Sequence, residues 1–280
     1  MRFIEIKAPA KINIGLFILS KRADGYHNLL TLFYPIHDLF DLLTFERSSA
    51  FEFICSEKNI PCDENNLVVK AKSLLEKVSG KSINVKITLD KRIPSQAGLG
   101  GGSSDAAAAL ISLNEMFQLN LKYEQLLELA LQLGSDVPFF IKARPAIGRS
   151  RGEILQLAAL EINEPILIIN PGINISTKEA FAKINPHERN FDFTSVIKNG
   201  TPDYSLLKEK VTNDFEEHVF ELYPEIKRLK EILYTNGALF SLMSGSGSTV
   251  YGIFPDVESA ERVKELLPKN YFCLISNPDR

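Results

Sequence analysis

The sequence has no excess of positive charge and no basic cluster. Its 32 lysines and arginines are outnumbered by 35 aspartates and glutamates, so the formal net charge is −3 at pH 7. Such a chain offers little electrostatic attraction to nucleic acid or to a membrane surface. The expected partner is therefore a small molecule, and neither nucleic acid nor a membrane is expected.

Cysteine is also scarce, and long apolar runs are missing. The three cysteines, Cys55, Cys62 and Cys273, form no C-x-x-C pair and leave an odd count. This argues against a disulfide framework or a zinc site and indicates a reducing cytoplasm. No run approaches the length of a membrane-spanning helix. Polar and charged residues interrupt positions 1–19, so we expect a strand there rather than a signal peptide.

The composition, 45% hydrophobic and 24% charged over 280 residues, is typical of a globular protein with one large core or two modest ones. Strand patterns cover Arg2 to Lys7, Ile12 to Leu19, Leu29 to Ile36, Leu42 to Arg47, Phe51 to Cys55 and Ile83 to Leu89. Helical patterns cover Leu67 to Val78, Ser104 to Gln118 and Tyr123 to Leu133. This order predicts an α+β domain whose helices cover one side of a mostly antiparallel or mixed sheet.

A second pattern begins near Pro165. Strands are predicted at Ile166 to Asn170, Leu239 to Met243, Thr249 to Phe254 and Tyr271 to Ile275. Helices are predicted at Lys178 to Ile184, Phe215 to Leu222, Glu225 to Tyr234 and Val257 to Leu266. This is the β-α-β-β-α-β order of a ferredoxin-like domain with an extra helix. We therefore predict two domains, residues 1–160 and 161–280, with an exposed loop at 185–202.

The most informative segment is the glycine- and serine-rich stretch 98–105, which leads into an alanine-rich helical run. Glycine permits backbone conformations closed to other residues and lets a ligand approach the main chain. A helix start adds unpaired N–H groups and the positive end of the helix dipole. The segment predicts a phosphate-binding site, and a flexible, capped surface loop is the alternative.

Two known nucleotide signatures are absent from this stretch. The pattern G-x-x-x-x-G-K-[ST] needs a lysine after the glycines, where this chain has Ser103 and Ser104. The pattern G-x-G-x-x-G, counted from Gly98, needs a glycine where Ser103 stands. The segment is therefore neither a Walker loop nor a dinucleotide fingerprint.

Two charged residues elsewhere are candidates for chemistry. Strand alternation places Lys11 and Asn13 together on the face opposite the apolar one, and a solvent-exposed lysine is the alternative. Asp136 precedes Pro138 and an apolar, strand-like run, so it would either cap the next turn or lie at a site. Beside a bound phosphate, Asp136 would orient or deprotonate an attacking hydroxyl, and Lys11 would stabilise the charge of the transferring group.

A second small-residue loop, Met243 to Thr249, joins two predicted strands. It is expected either to be a simple hairpin turn or to form a second backbone wall against a ligand. The second interpretation places the site between the two domains, where pockets are common.

These segments resemble the three ordered motifs of the GHMP kinases, which comprise galactokinase, homoserine kinase, mevalonate kinase and phosphomevalonate kinase. The motifs are Pro9-Ala10-Lys11-Ile12-Asn13, the glycine-rich loop and the SGSGS loop, and the resemblance spans nearly the whole chain. Further segments narrow it to the branch that phosphorylates 4-diphosphocytidyl-2-C-methyl-D-erythritol. They are Gly25 to Leu29, Thr31 to Phe33, Gly134 to Phe140, Pro171 with Gly172, Ser176 with Thr177, and Asn213 to Glu216.

The resemblance implies a fold and an activity. The fold is α+β, with an N-terminal domain that is ribosomal protein S5 domain 2-like, a C-terminal ferredoxin-like domain, and the active site in the cleft between them. The activity is transfer of the ATP γ-phosphoryl to the C2 hydroxyl of the methylerythritol moiety, which yields the 2-phosphate and ADP for non-mevalonate isoprenoid synthesis. ATP is the expected donor, and Mg²⁺ is expected because phosphoryl transfer needs its charge shielded.

The resemblance also implies roles for individual residues. Asp136 would take or orient the hydroxyl proton, while Lys11 would keep Asp136 ionised and steady the hydroxyl. The ATP-binding residues would be Pro94, Ala97, Gly98, Leu99, Gly100, Gly101, Gly102, Ser103 and Ser104, with Asn65 near the adenine and ribose. The substrate-binding residues would be Asn13, Tyr26, His27, Thr177 and Phe181. Tyr26 and Phe181 would stack on the cytosine, His27 would be its hydrogen-bonding partner, and Asn13 would contact the polyol or phosphate region of the substrate. The supporting loop would be Ser244, Gly245, Ser246 and Gly247.

The chain departs from the family pattern at one segment. The family's A-x-G-x-G-E appears here as Gly148-Arg149-Ser150-Arg151-Gly152-Glu153, so a serine replaces a glycine. No acidic cluster identifies metal ligands, and Ser104 and Asp105 are the only candidates. A monomer or weak homodimer is expected.

Other classes of function stay open on the sequence alone. One is another enzyme of the same fold, such as homoserine kinase or a decarboxylase acting on a mevalonate-diphosphate-type acid, which would lack the Tyr26 and His27 pair. The other is a non-catalytic RNA-binding module, which would require a basic face.

Overall fold

The computed structural model describes residues 2–277, which form two compact units. The first unit comprises residues 2–10, 39–95 and 100–143, and the second comprises residues 11–38, 96–99 and 144–277. The units are not consecutive ranges, because two long strands pass from one unit into the other. The predicted division at residue 160 therefore stays a prediction about domains.

The elements follow the predicted order closely. The strands are β1 (Phe3–Lys21), β2 (His27–Arg47), β3 (Glu52–Cys55), β4 (Val85–Asp90), β5 (Ala146–Ser150), β6 (Ile154–Leu157), β7 (Ile166–Asn170), β8 (Ile197–Lys198), β9 (Thr201–Pro202), β10 (Phe240–Met243), β11 (Val250–Ile253) and β12 (Phe272–Ser276). The helices are α1 (Leu67–Ser79), α2 (Gly101–Met116), α3 (Tyr123–Leu133), α4 (Val137–Phe140), α5 (Thr177–Lys183), α6 (Tyr204–Lys210), α7 (Phe215–Leu222), α8 (Pro224–Thr235) and α9 (Val257–Glu265).

In the first unit, the second half of β2 pairs antiparallel with β4, and β4 pairs parallel with β3. This mixed pairing agrees with the sequence prediction. Helices α1 to α4 pack against one another. The alanines of α2 at positions 106–109 are buried, so their small side chains let neighbouring elements approach this helix closely. Asn66 caps α1 by accepting a hydrogen bond from Val68 N, and left-handed Gly80 ends the helix.

The second unit contains a four-stranded antiparallel sheet with the order β10-β11-β7-β12. Along the chain, helices separate β7 from the β10–β11 hairpin, and α9 separates that hairpin from β12. This confirms the β-α-β-β-α-β prediction, with extra helices between β7 and β10. Helix α8 packs on β10 and β11, and α9 packs on β7 and β12. The first half of β2 separately pairs with β5, and β5 pairs with β6.

Two pairs of predicted strands, 2–7 with 12–19 and 29–36 with 42–47, are each one long strand, β1 and β2 respectively. Three other local predictions are wrong. The apolar run after Asp136 is the single helical turn α4 and not a strand, because Pro138 is compatible with a first turn. Helix α2 begins at Gly101 and not at Ser104, because glycines there adopt helical geometry. Residues 185–202 are not wholly exposed, since Phe193 is buried in a 3₁₀ turn and stacks on Phe17 at 5.5 Å.

Among residues 2–277, no helix combines the length and the apolar character that crossing a bilayer requires.

Candidate active site

Lys11 lies in β1 and is buried, with 3% of its surface exposed. The alternative of a solvent-exposed lysine is therefore wrong, because β1 is covered on both faces at this point. Its ammonium donates to Asn13 Oδ1 at 2.5 Å and to the carbonyl oxygen of Gly98 at 2.9 Å. Burying an ammonium costs free energy unless it is hydrogen-bonded. These two acceptors therefore stabilise the positive charge of Lys11.

Asn13 is equally buried and fixes the position of Lys11. Its Nδ2 donates to Thr31 Oγ1 at 2.9 Å, and Thr31 Oγ1 donates to the Gly15 carbonyl at 2.6 Å. Hydrogen bonds at both Nδ2 and Oδ1 thus orient the Asn13 amide, with its oxygen toward the Lys11 ammonium. The predicted contact of Asn13 with substrate stays a prediction.

The SGSGS loop packs directly on the glycine-rich loop within the second unit. Ser244 Oγ donates to the Gly98 carbonyl at 2.9 Å, and Thr249 N donates to the Ala97 carbonyl at 3.3 Å. Gly98 has a positive φ of 76°, and a Cβ there would collide with the Ser244 carbonyl oxygen. Only glycine allows this close approach of two backbones. The SGSGS loop joins β10 to β11 as a hairpin and also packs against the predicted phosphate-binding loop.

Two residues that had no assigned role hold the SGSGS loop in place. Asn213 Nδ2 donates to the carbonyls of Met243 and Gly245, both at 2.7 Å. Glu216 accepts from Met243 N at 2.9 Å and from Lys230 Nζ at 2.6 Å. Burial raises the pKa of Glu216, and Lys230 opposes that rise. The sequence indicates the segment from Asn213 to Glu216 only through the resemblance. No local pattern reveals its role, because the backbone groups that it binds lie about 30 residues downstream.

The remaining predicted substrate residues also lie in the second unit. His27 stacks on Phe181 with ring centroids 5.2 Å apart, and Thr177 hydrogen-bonds Ser246 at 2.9 Å. Burial and nearby Lys21 lower the pKa of His27, so its imidazole is neutral at pH 7 and offers one donor and one acceptor. Tyr26 is 51% exposed and carries the Arg151 guanidinium over its ring at 4.4 Å. Among the described residues, no ring contact joins Tyr26 to Phe181.

The start of α2, in the first unit, has open hydrogen-bond donors. Gly100 is the N-cap with a φ of 74° and gives no side-chain cap. Within residues 2–277, nothing accepts a hydrogen bond from the backbone N–H of Gly101, Gly102 or Ser103. The hydroxyl of Ser104 is buried and also has no partner in the described part of the chain. These donors and the helix dipole fit an anion such as a phosphate.

A buried charge cluster lies beside this helix start and was not predicted. Lys91 donates to Asp41 Oδ2 and, at 2.9 Å, to Asp105 Oδ2. Asp41 Oδ1 also accepts from the backbone N–H of Arg92 and Ile93 at 2.6 and 2.8 Å. Burial raises the pKa of Asp105 to about 8, an effect that Lys91 reduces and Asp41 reinforces.

Other predicted residues of the first unit are placed as follows. Asp136 is half-buried at the N-cap of α4, but its side chain makes no capping hydrogen bond, so the capping alternative is wrong. Asn65 is exposed directly before the capping residue Asn66. Pro94 is half-buried in the turn that follows β4. No group of three His, Cys, Asp or Glu side chains suited to a metal ion occurs among the described residues.

Comparison with known proteins gives the family. The family "GHMP kinases N terminal domain" matches residues 66–144, and "GHMP kinases C terminal" matches residues 195–272. The chain is 39% identical over 277 residues to the 4-diphosphocytidyl-2-C-methyl-D-erythritol kinase of Thermoanaerobacter pseudethanolicus, across 97% of this chain and 94% of that protein. The chain belongs to the GHMP kinase family.

Solved structures agree with this assignment. A crystal structure of a 4-(cytidine 5'-diphospho)-2C-methyl-D-erythritol kinase matches with a TM-score of 0.81 and 35% identity, across 97% of this chain and 98% of that one. A homoserine kinase from Cytophaga hutchinsonii matches with a TM-score of 0.76 at 19% identity, across 99% of this chain and 95% of that one. The second match shows the shared GHMP kinase fold alone.

The close packing at Gly98 gives a prediction for this GHMP kinase. Gly98→Ala should lower the free energy of unfolding by about 2–3 kcal/mol, because the new Cβ meets a backbone oxygen at a positive φ. Urea unfolding measures the effect. The matched control is Gly102→Ala, where the nearest atom to a new Cβ is 4.0 Å away. Equal stability of the two variants would contradict the packing argument.

Proposed function

We propose that this GHMP kinase transfers the γ-phosphoryl of ATP to the C2 hydroxyl of 4-diphosphocytidyl-2-C-methyl-D-erythritol, giving the 2-phosphate and ADP for isoprenoid precursor synthesis. The observation that carries the proposal is similarity over nearly the full chain to kinases named for this substrate, at 39% identity. The Tyr26, His27 and Phe181 side chains are of the types that bind a pyrimidine base, which supports this substrate over homoserine or a mevalonate-type acid.

The ATP phosphates would bind at the start of α2. The open N–H groups of Gly101, Gly102 and Ser103 and the unpartnered hydroxyl of Ser104 are donors that a phosphate accepts from. The remaining glycine-loop residues would complete the cradle with their backbone. Asn65 would lie near the adenine and ribose, and Pro94 would be a further ATP-binding residue.

Magnesium would enter with the nucleotide. The described residues contain no three-carboxylate group to hold the ion, and protein-bound Mg²⁺ commonly takes most of its ligands from substrate phosphates and water. When bound, it would shield the phosphate charge. Of the two candidate ligands, Ser104 has a hydroxyl without a partner among the described residues, whereas Oδ2 of Asp105 is bonded to Lys91.

The acceptor hydroxyl would be activated by Asp136 and steadied by Lys11. The Asp136 side chain makes no capping hydrogen bond to α4, so helix capping does not account for this carboxylate. We propose that it orients the hydroxyl and accepts its proton as the phosphoryl group transfers. The buried ammonium of Lys11, held by Asn13 and Gly98, supplies a fixed positive charge that favours the ionised carboxylate and the developing negative charge.

The cytosine would stack on Tyr26 and Phe181 and hydrogen-bond to His27. A neutral imidazole can donate to the base carbonyl or accept from its amino group, and the lowered pKa keeps it neutral near pH 7. Thr177 and Ser246, which already hydrogen-bond each other, would line the same substrate region.

We further propose that the enzyme works in the cytoplasm as a monomer or weak homodimer, with small molecules as its partners. Its three cysteines are all free thiols, which suits a reducing compartment.

A coupled ADP-release assay tests the proposed function. The protein is incubated with ATP and, in parallel, with the cytidylyl substrate, homoserine, mevalonate and mevalonate diphosphate. We expect ADP release with the cytidylyl substrate at a kcat/KM at least about 10³-fold above the others, since a site that pairs with a base rejects ligands lacking it. ADP released only with mevalonate diphosphate, together with carbon dioxide, would overturn the proposal.

The base-stacking assignment gives a further prediction. Tyr26→Ala should raise KM for the cytidylyl substrate by about 5- to 150-fold, the usual range for losing one base–aromatic stack, and leave KM for ATP nearly unchanged. Tyr26→Phe is the control, because it keeps the ring. An equal rise of both KM values in Tyr26→Ala would show that the assignment is wrong.

A further inference from the structure

We propose that Arg151 is a specificity-determining residue of the base site, and that Ser150 and Glu153 position it over the Tyr26 ring. The inference rests on the proposed function, since it needs Tyr26 to stack on the cytosine. It concerns residues at which this chain departs from the family pattern, where serine stands in place of glycine.

Arg151 covers one face of Tyr26. Its guanidinium carbon lies 4.4 Å from the centre of the ring, within the range of a cation–π contact. Half of the Tyr26 surface nevertheless remains exposed, so a face of the ring is open to a planar ligand. The backbone of Tyr26 is held as well, because its N–H donates to Asp24 Oδ1 at 3.1 Å.

Glu153 fixes the turn that carries Arg151. Its Oε2 accepts from the backbone N–H of Arg151 at 2.7 Å, and its Oε1 lies 3.8 Å from the Arg151 Nε. The turn is also closed by a hydrogen bond from Gly152 N to the Arg149 carbonyl at 3.0 Å. Both the main chain and the side chain of Arg151 are therefore tied to one carboxylate.

Ser150 fixes Glu153 in turn. Its hydroxyl donates to Glu153 Oε1 at 3.0 Å and accepts from Arg22 Nη1 at 2.9 Å. Arg22 also donates to Asn28 at 3.1 Å and pairs with Asp24, the residue that holds the backbone of Tyr26. These contacts therefore form a closed network that begins at the Tyr26 ring and ends at the Tyr26 backbone. Ser150 maintains it although its φ is 61°, in the region that favours glycine.

The physical consequence is preorganisation of the base-stacking ring. A ring held by a stacked guanidinium and a fixed backbone loses less freedom when a base binds to its open face. The planar guanidinium suits this role better than an ammonium, which is compact and strongly hydrated. Binding of the cytidylyl group should therefore depend on Arg151 even though phosphoryl transfer occurs elsewhere on the substrate.

The test measures binding of cytidine 5'-diphosphate by isothermal titration calorimetry, together with steady-state kinetics. Arg151→Ala should raise Kd for cytidine diphosphate and KM for the cytidylyl substrate by about 2- to 30-fold, with kcat and KM for ATP unchanged. Arg151→Lys should raise Kd and KM less than Arg151→Ala does, but should not restore the wild-type values. Arg149→Ala is the matched control, because Arg149 is an exposed cation two residues away on β5.

Ser150→Gly separates positioning from folding. It removes the hydroxyl links but restores the residue that a φ of 61° favours, so Tm should stay equal or rise while Kd for cytidine diphosphate rises. In the double variant Ser150→Gly with Arg151→Ala, the rise in Kd for cytidine diphosphate should be no larger than in Arg151→Ala alone. Both substitutions act through the same contact between Arg151 and Tyr26.

Three results would overturn the inference. Arg151→Ala binding cytidine diphosphate as tightly as the wild type, or more tightly, would show that Arg151 does not help the base bind. A fully additive double variant would show that Ser150 does not act through Arg151. If wild-type protein neither binds cytidine diphosphate nor turns over the cytidylyl substrate, the proposed function itself fails and the inference fails with it.

Discussion

Replacing Asp136 by asparagine is expected to lower kcat by about 10²- to 10⁴-fold while KM for ATP changes little. Asparagine keeps the size and polarity of the side chain but cannot accept the hydroxyl proton or carry the negative charge. Because the Asp136 side chain makes no capping hydrogen bond, the substitution removes no cap from α4. Steady-state kinetics with the cytidylyl substrate measure the effect.

The control for this variant is Glu128→Gln, which removes an exposed carboxylate from α3 in the same unit. It should turn over at the wild-type rate. A thermal unfolding curve should show that Asp136→Asn is folded at the assay temperature, so that the loss of turnover is not a loss of fold. Turnover of Asp136→Asn within a few-fold of wild type would remove Asp136 from the catalytic step.

The second large effect concerns stability. Lys91→Met should lower the free energy of unfolding by about 3–5 kcal/mol, because it leaves the buried Asp41 carboxylate and the buried carboxyl of Asp105 without their shared cation. Lys86→Met is the matched control, since Lys86 forms an exposed pair with Glu52 on the neighbouring strand and should cost less than about 1 kcal/mol. Denaturant unfolding of both variants gives the comparison. A loss below 1 kcal/mol in Lys91→Met would contradict the role of the cluster.

The same cluster predicts a pH dependence. The folded-state pKa of Asp105 is about 8, which is above its unfolded value, so the folded protein holds a proton that the unfolded chain releases. The stability from this proton is fully present below about pH 4 and is lost as the pH rises toward 8 and beyond. Relative to Asp105→Asn, the wild type should therefore become less stable between pH 5 and pH 9. A constant difference between the two proteins across that range would contradict the raised pKa.

Much of the fold follows from local sequence patterns. Helix α3, helix α7 and strand β7 have the predicted bounds because apolar spacing and end signals, such as Gly134 after α3, agree with their surroundings. The hairpin through the SGSGS loop likewise follows from two short apolar runs around small residues. Strands β5 and β6 were not predicted, because Arg149, Ser150 and Gly152 interrupt the apolar alternation there.

The site was predictable only in part. The glycine loop and Lys11 could be found from composition and from resemblance, but the buried Lys11 ammonium lies against Gly245 of the SGSGS loop, more than 200 residues away. The Lys91 cluster depends on the register of β2 and β4, which pairs Leu42 with Asp90 and so brings Asp41 beside Lys91. A single sequence does not reveal such a register. The placement of the active site in a cleft between two domains stays a prediction.

The fold does not determine the substrate, since a homoserine kinase shares it at 19% identity. Under the proposed function, the residues around Tyr26, His27 and Phe181 would select the acceptor, while the glycine loop and Lys11 would serve the phosphoryl group. Substitutions around Tyr26 should therefore change KM for the acceptor, and substitutions at the helix start should change KM for ATP.

The most direct measurement is identification of the reaction product. The purified protein is incubated with ATP and 4-diphosphocytidyl-2-C-methyl-D-erythritol, and the mixture is followed by ³¹P nuclear magnetic resonance and mass spectrometry. The proposed function requires a new phosphomonoester signal on the substrate, an intact diphosphate linkage and one ADP per product formed. An unchanged substrate beside rapid phosphorylation of homoserine, or decarboxylation of mevalonate diphosphate, would contradict it.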